Sequence, residues 1–309
     1  MVNFDFFSNA LVEVLKDTLP DGYVLRVEKI YKNNAILTGL VISRPDEKVS
    51  PVVYAEDFFR DYEKGESIDE IAAKILHFRM KEAVNGDMFL KELGLTDFTF
   101  ENVKSRIKPR LVNIKANSAR LANCPHRVFA DDLAITYVVE VMNAAGTTGV
   151  VNINNTNMEA LKVTEDVLYE TALINSNDIV VRNILGMMDD IANGASSDNH
   201  DNDKEFAYAM KNDMPAVMTN SRKSLGTAAL IHKNYLKSLC QSAGIKGFYI
   251  IPSSIHEVLL QKADSVNPLD ARALNNMVRE VNESELKTEE ILSDHIYYFN
   301  GKDIISLHC

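Results

Sequence analysis

The sequence predicts an α+β fold in which mixed or antiparallel sheets are flanked by helices, divided into two to three sub-domains. Its 309 residues, of which 46% are hydrophobic and 25% charged, have the composition of an ordinary globular protein. Apolar stripes at helical spacing follow capping residues, while runs rich in β-branched and aromatic residues end at turn signals. The chain contains neither an internal repeat nor a heptad run. These observations favour an α+β architecture over a coiled coil or a repeat protein.

The first unit, residues 1–97, begins with an amphipathic helix behind Asn3, and Leu19-Pro20-Asp21-Gly22 ends that helix. Three β-rich runs at residues 23–31, 35–43 and 50–55 predict a three-stranded meander. A capping box at residues 67–70 then begins another helix. The unit is expected to contain a helix, three strands and further helices.

A middle α+β unit is expected over residues 98–193, a linker or mobile loop over 194–205, and a C-terminal α+β unit over 206–309. The strands predicted in these units span residues 106–114, 133–142, 148–153, 214–220, 226–231, 247–252 and 255–261, and Asn300-Gly301 predicts a final hairpin. A helix is expected to begin at Asp178, with Val181 and Ile184 on its apolar face. Another is expected behind Asn267-Pro268.

Charge and cysteine usage predict a soluble, acidic, cytoplasmic protein. The chain has 33 basic and 44 acidic side chains, for a net charge of -11. Its three cysteines are too far apart in sequence to form a disulfide framework. No basic signal region and no run of about 20 apolar residues is present, so we expect no membrane span.

The common cofactor and metal motifs are absent. The chain lacks the phosphate-binding loop, the dinucleotide fingerprint and the nucleophile elbow. His256-Glu257 begins like a zinc-protease helix, but Leu260 occupies the position of the second histidine. The acidic stretch at 199–205 lacks the glycine and the final glutamate of a calcium loop. We therefore expect neither a cofactor nor a metal.

A basic segment interrupts the acidic chain. Seven basic residues occur between positions 104 and 127 with no acid among them: Lys104, Arg106, Lys108, Arg110, Lys115, Arg120 and Arg127. If residues 104–110 are extended, Lys104, Arg106, Lys108 and Arg110 share one face and could bind a nucleic acid or another polyanion. The alternative is a solvated face that pairs with acids from elsewhere in the fold.

The parts of a nucleophile, base and orienter occur near the C-terminus. Ser253 or Ser254 could act as nucleophile, His256 as base, and Glu257 or Asp294 as the carboxylate that orients the imidazole. The alternative is structural, with the serines bonded to turn amides and His256 a hydrogen-bonded core residue.

A third candidate is Cys124-Pro125-His126, which places a thiol two residues from an imidazole. Arg120 and Arg127 could make its surroundings electropositive, as a reactive thiolate requires. The alternative is a small buried thiol beside a turn proline.

Several blocks resemble the signatures of a bacterial family of unknown function, numbered 5688 and common in clostridial gut anaerobes. They are Met218-Thr219-Asn220, Gly226-Thr227-Ala228-Ala229, the PSSIHEVL block at 252–259 and the LSDHIY block at 292–297, with similar segments at 37–40, 50–51 and 132–135. The resemblance covers nearly the whole chain. It implies a bacterial cytoplasmic protein whose relatives have no assigned activity, cofactor or catalytic residue.

The sequence favours a non-catalytic binding or regulatory protein, with an unidentified protein as one class of partner. A hydrolase that uses Ser253 or Ser254 with His256 and Asp294 is the first alternative. Binding of an anion or nucleic acid through the basic segment is the second. The sequence leaves open whether the protein is an enzyme.

Overall fold

A computed structural model describes residues 3–47, 49–81, 86–143, 146, 148–193 and 201–308. The chain divides into two compact units. The first comprises the described residues of Met1–Asp97 and Met142–Thr148, and the second those of Phe98–Val141 and Gly149–Cys309. The predicted α+β class is confirmed, with antiparallel sheets flanked by helices. Among the described residues, no helix combines the length and the apolar character needed to cross a membrane.

The first unit is a three-stranded meander packed against helices. Its elements are α1 (Phe4–Thr18), β1 (Val24–Lys32), β2 (Ala35–Ser43), β3 (Val52–Tyr54), α2 (Ala55–Glu63), α3 (Ile68–Lys81) and α4 (Gly86–Glu92). The three strands pair in sequence order, which confirms the predicted meander. Asn3 caps α1 by accepting a hydrogen bond from the Asp5 amide at 2.8 Å, and Ser67 and Glu70 form the predicted capping box.

The core of this unit is aromatic and aliphatic. A buried arginine links two of its elements. Phe7, from α1, is fully buried and stacks on Tyr62 with ring centroids 4.9 Å apart. Arg79, from α3, donates to the Ile42 carbonyl at 2.7 Å and forms an ion pair with Glu47. That ion pair lowers the pKa of Glu47. The arginine thus fixes α3 against the end of β2.

The second unit contains a four-stranded antiparallel sheet. Its strands are β4 (Ile107–Asn113), β5 (His126–Val128), β6 (Leu133–Met142) and β7 (Thr148–Asn152), with β6 paired to each of the other three. The associated helices are α5 (Phe100–Val103), α6 (Ser118–Leu121), α7 (Asn155–Leu161) and α8 (Glu165–Asn175). Val112 and Ala134 pack against Leu121 and Cys124 on one face of this sheet.

A six-stranded sheet, antiparallel at every neighbouring pair, completes the second unit. Its strands are β8 (Val180–Asn183), β9 (Ala216–Thr219), β10 (Phe248–Pro252), β11 (Val258–Lys262), β12 (Tyr297–Phe299) and β13 (Ile304–Ser306), in the order β13-β12-β10-β11-β9-β8. The helices are α9 (Ile184–Asn193), α10 (Asn202–Lys211), α11 (Lys233–Ala243) and α12 (Pro268–Ser284), with 3-10 turns at Lys104–Arg106, Gly226–Ile231 and Thr288–Glu290.

Two predicted elements differ from the structure. Residues 226–231 form a buried 3-10 turn, not a strand, because Leu225 enters the left-handed region (φ 54°) and turns the chain. The helix expected from Asp178 begins only at Ile184. Asn183 begins it by accepting the Gly186 amide at 2.9 Å, which leaves Val180–Asn183 free to pair as β8.

The predicted linker at 194–205 joins elements of one sheet. Residues 194–200 lie outside the described residues, and Asp201 caps α10, so the last residues of the predicted loop are helical. β8 and β9, on either side of this segment, pair directly. Residues 98–193 therefore contribute β8 to the six-stranded sheet, whose other five strands come from residues 206–309, and form the four-stranded sheet with β4 to β7.

Gly247 lies where the six-stranded sheet allows no side chain. A Cβ at this position would meet the Phe299 carbonyl oxygen at 2.3 Å, whereas one at Gly149 would meet nothing closer than 3.6 Å. We expect Gly247→Ala to lower the free energy of unfolding by about 1–3 kcal/mol or more, because backbone cannot yield as a flexible side chain can. Gly149→Ala is the matched control in a strand. Equal stabilities of the two variants in urea denaturation would contradict the assignment.

Candidate functional site

The PSSIHEVL block forms the tight connection between β10 and β11. The amides of Ser253 and Ser254 both donate to the Glu257 carbonyl at 3.3 Å. The Ser253 hydroxyl contacts the Glu257 carboxylate at 3.3 Å, and the Ser254 hydroxyl accepts the His256 amide at 2.9 Å. Both predicted nucleophiles thus take part in turn geometry.

The predicted base, His256, is bonded to backbone. Its Nδ1 accepts the Leu225 amide at 3.1 Å, which places the proton of the neutral ring on Nε2. Its carbonyl accepts the Thr219 hydroxyl at 2.8 Å. The predicted orienter, Asp294, accepts from the Asn282 amide group at 2.9 Å. The structure therefore engages the proposed triad in separate structural hydrogen bonds.

A different serine, histidine and aspartate do meet, and the sequence analysis missed this cluster. The Ser293 hydroxyl lies 3.2 Å from His295 Nδ1 and 3.4 Å from Asp132 Oδ2. The Tyr297 hydroxyl donates a hydrogen bond to the same carboxylate at 2.9 Å. Ser293 and His295 are only 2% and 9% exposed. Because the cluster lies beneath the surface, its geometry is that of a structural network.

Asp132 is ionised in this network. Burial by itself raises the pKa of Asp132, but His295 and Tyr297 act in the opposite direction and the pKa falls below its ordinary value of 3.8. His295 Nε2 lies 3.4 Å from Asp132 Oδ2, close enough to lower the pKa of this carboxyl. No local sequence pattern indicates this cluster, because Asp132 lies more than 160 positions from Ser293 and Tyr297.

The basic segment does not form one cationic face. Lys104 and Arg106 lie in a 3-10 turn, and the strand begins only at Ile107, so residues 104–110 do not meet the condition of a continuous extended run. Lys104 pairs with Glu101 at 2.6 Å. Arg127 pairs with Glu165 at 2.7 Å. These two cations pair with acids, as in the alternative of a solvated face.

Lys108 and Arg110 remain on one face of β4 but have different surroundings. The Lys108 ammonium donates to the Asn175 carbonyl at the end of α8. Arg110 is buried and reaches the side-chain oxygen of Asn152 at 3.2 Å. Arg120, from α6, reaches that same oxygen at 3.0 Å. Two guanidinium groups thus converge on one neutral amide.

Cys124 lies beside this arginine pair. Burial raises the pKa of the Cys124 thiol, and the positive charges of Arg120 and Arg110 only partly oppose this effect. The thiol is therefore neutral at physiological pH. His126 bonds through Nδ1 to the Cys124 carbonyl at 3.0 Å, not to the sulfur. The geometry matches a small buried thiol, the alternative stated for this motif.

A polar cleft of about 70 Å3 opens between the start of β4 and the loop that follows β9. Its charged lining residues are Lys108, Glu140, Asp178 and Arg222, and its other lining residues include Ser176, Asn220, Ser224, Leu225, Gly226 and Ala228. Arg222 pairs with Glu140 at 2.9 Å, and Ser221 donates to Asp178 at 2.5 Å. Blocks 218–220 and 226–229, quoted above for the resemblance, both contribute to these walls.

Hydrogen bonds fix the loop that forms one wall of the cleft. Asn220 clasps Ser224 from both sides, accepting its amide at 3.1 Å and donating to its carbonyl at 2.7 Å. The left-handed Leu225 is held by His256. Gly226 follows where a Cβ would meet the His256 carbonyl at 2.4 Å. These contacts tie the wall to the β10–β11 connection.

Ser176 and His232 meet at the edge of this cleft. The Ser176 hydroxyl lies 2.9 Å from His232 Nε2, within hydrogen-bond reach. The same hydroxyl lies 3.0 Å from the Leu173 carbonyl at the end of α8. Burial lowers the pKa of His232 below its ordinary value of 6.5, so the imidazole is neutral at pH 7. No sequence motif joins the two residues, which are 56 positions apart.

The potential metal ligands in the described part of the chain are dispersed. Within it, no group of three or more histidine, cysteine, aspartate or glutamate side chains is placed to hold a metal ion. The charged groups at the cleft pair with each other or with polar groups on its walls. The chemistry that these walls offer is hydrogen bonding and charge pairing.

His232 gives the stability of the fold a pH dependence. Because its folded-state pKa is depressed, the unfolded chain binds a proton at higher pH than the folded chain. We expect the free energy of unfolding to fall as pH drops from about 7 to about 5, and the fall to be smaller in His232→Gln. Urea titrations across this range test it, with exposed His77→Gln as the matched loss of an imidazole. Equal pH slopes in wild type and His232→Gln would refute the assignment.

Comparison with known proteins identifies the family. The family of unknown function DUF5688 matches residues 4–301, nearly the whole chain. Comparisons with curated proteins and with solved structures find no match. The resemblance inferred from the sequence blocks is thereby confirmed, and the chain belongs to the DUF5688 family.

Proposed function

We propose that the protein binds a small charged ligand in the polar cleft and does not transform it. The observation that carries the proposal is the lining, where two cations and two carboxylates lie around a cleft of about 70 Å3. That volume admits several water molecules or a charged group of a few heavy atoms. The catalytic set read from the sequence is engaged elsewhere, in turn and loop hydrogen bonds.

Charge at the cleft suits a ligand that carries both signs. Lys108 and Arg222 offer hydrogen-bond donors to an anionic group, while Glu140 and Asp178 offer acceptors to a cationic one. Arg222 is half exposed at the rim and can exchange Glu140 for a ligand at small cost. A small zwitterion, or the zwitterionic end of a larger molecule, fits this pattern.

The rigidity of the walls supports binding as the role of the cleft. A site fixed before the ligand arrives loses little conformational entropy when it is filled. The Asn220 clasp, the His256 contact to Leu225 and the Ser221 contact to Asp178 hold the surrounding loops in place. The proposal also retains a cytoplasmic location in a bacterium, supported by the spaced cysteines and the family resemblance.

The proposal is tested with a panel of free amino acids and small carboxylates monitored by NMR shifts and calorimetry. We expect at least one zwitterion to bind, and Lys108→Met and Arg222→Gln each to weaken it by about tenfold or more, the loss typical of one charged hydrogen bond. Lys115→Gln, which removes an exposed cation outside the cleft, is the control. Binding that is unchanged in both cleft variants would reject the site.

A hydrolytic function is the second candidate, favoured by the contact between Ser176 and His232. A neutral imidazole 2.9 Å from a hydroxyl at a cleft can act as its general base once the hydroxyl turns its proton from the Leu173 carbonyl to Nε2. If the protein is a hydrolase, Ser176→Ala should abolish turnover of an activated ester, while Ser253→Ala should retain it. Loss of turnover in Ser253→Ala alone would instead favour the PSSIHEVL serine, and absence of turnover in wild type would leave binding as the function.

A further inference from the structure

Arg110 and Arg120 form an unusual buried pair in the second unit. Arg110 comes from β4 and Arg120 from α6, and they are 8% and 7% exposed. Arg110 Nη1 and Arg120 Nη2 approach the same oxygen of Asn152, at 3.2 and 3.0 Å. An amide oxygen accepts hydrogen bonds but carries no net charge, so it does not neutralise either cation.

Donors of both side chains are left over. Arg110 Nε and Arg120 Nη1 are buried and have no hydrogen-bond partner in the described part of the chain. A buried, unpaired donor on a charged group costs several kcal/mol, so buried arginines normally meet carboxylates or phosphates. Arg110 Nε and Arg120 Nη1 are therefore two unused hydrogen-bond donors in a place shielded from bulk water.

The charged groups around the pair do not cancel it. The pKa of Arg110 is lowered to about 9, first by burial and then by repulsion from the charge of Arg120. Cys124 is close enough to interact, but its thiol is neutral. Glu289 attracts Arg110, but its effect on the pKa of Arg110 is smaller than the effects of burial and of Arg120. Among the described residues, the oxygen that both guanidinium groups contact is neutral, so the cluster lacks a negative charge beside it.

We propose that Arg110, Arg120 and Asn152 form a buried binding site for a small oxoanion, of the phosphate or sulfate class. The forked donors of two arginines match the several oxygens of such an ion. Burial of both guanidinium groups favours a free ion or a single phosphate group over the backbone of a nucleic acid. The site is separate from the polar cleft, and its test does not depend on the function proposed there.

Inorganic phosphate and sulfate are the probes, compared with chloride at matched ionic strength. At ten times its dissociation constant, either oxoanion should raise the Tm by roughly 3–6 °C. Lys115→Gln should respond like wild type, and so should Arg222→Gln, which alters only the cleft. Arg120→Gln should lose the response.

Asn152→Asp tests the charge argument directly and does not remove an arginine. A carboxylate of nearly the same shape would supply the missing negative charge, so this variant should have a higher Tm than wild type without oxoanion and no further response to it. Phenyl phosphate distinguishes the two sources, because a response to it assigns the site to the phosphate group of a larger molecule and its absence assigns a free ion.

Three results would overturn the site. One is an equal Tm of wild type in chloride and in either oxoanion. Another is a lower Tm of Asn152→Asp than of wild type, since that would show that the pair needs no additional negative charge. The third is loss of the oxoanion response in Arg222→Gln, which would assign the ion to the cleft instead.

Discussion

The carboxylate of Asp132 is the contact on which the arrangement of the second unit depends. It lies in the loop before β6 of the four-stranded sheet and accepts a hydrogen bond from the hydroxyl of Tyr297 on β12 of the six-stranded sheet. Asn113 at the end of β4 donates to the same carboxylate at 3.0 Å. One ionised group thus joins both sheets, and its neighbours outweigh the cost of its burial. The adjacent Asp131 adds a second link, accepting from Ser306 on β13 at 2.6 Å.

The two buried charge clusters of this unit are satisfied to different extents. Around Asp132, a tyrosine, an amide, a serine and an imidazole surround one negative charge. Around Arg110 and Arg120, two positive charges share one neutral oxygen and keep unused donors. The cluster around Asp132 is stable without a ligand, because several hydrogen-bond donors contact its one negative charge. The second cluster leaves buried donors without partners in the described part of the chain, which is the basis of the proposed oxoanion site.

The polar cleft has walls built from segments that are distant in sequence. The strand β4 contacts the 3-10 turn Gly226–Ile231, and the loop before that turn is held by the connection between β10 and β11. The PSSIHEVL block therefore supports one wall of the cleft through the His256 ring. Its serines and Glu257 are engaged in the turn itself. The chemistry at the cleft comes instead from Lys108, Arg222 and their acidic neighbours.

Elements stabilised by neighbouring residues could be predicted from the sequence. The helix behind Asn3, the meander over residues 23–55 and the hairpin at Asn300-Gly301 depend on caps, alternation and turn residues within a few positions. The family was also readable, since its blocks are contiguous. Local pattern failed at residues 226–231, where a β-rich composition forms a 3-10 turn because Leu225 is bonded to a histidine 31 positions away.

The side-chain clusters of the candidate sites form only in the tertiary structure. Ser176 and His232, Asp132 and His295, and the arginine pair with Asn152 meet only after strands from distant segments have paired. The sequence shows the residue types, including a basic segment whose alternate cations would share one face of an extended chain. Packing then separated them, pairing Lys104 and Arg127 with acids at the surface and burying Arg110 with Arg120. The physical reason is that spacing fixes the direction of a side chain along its own element, whereas its partners and burial are set by the elements that pack against it.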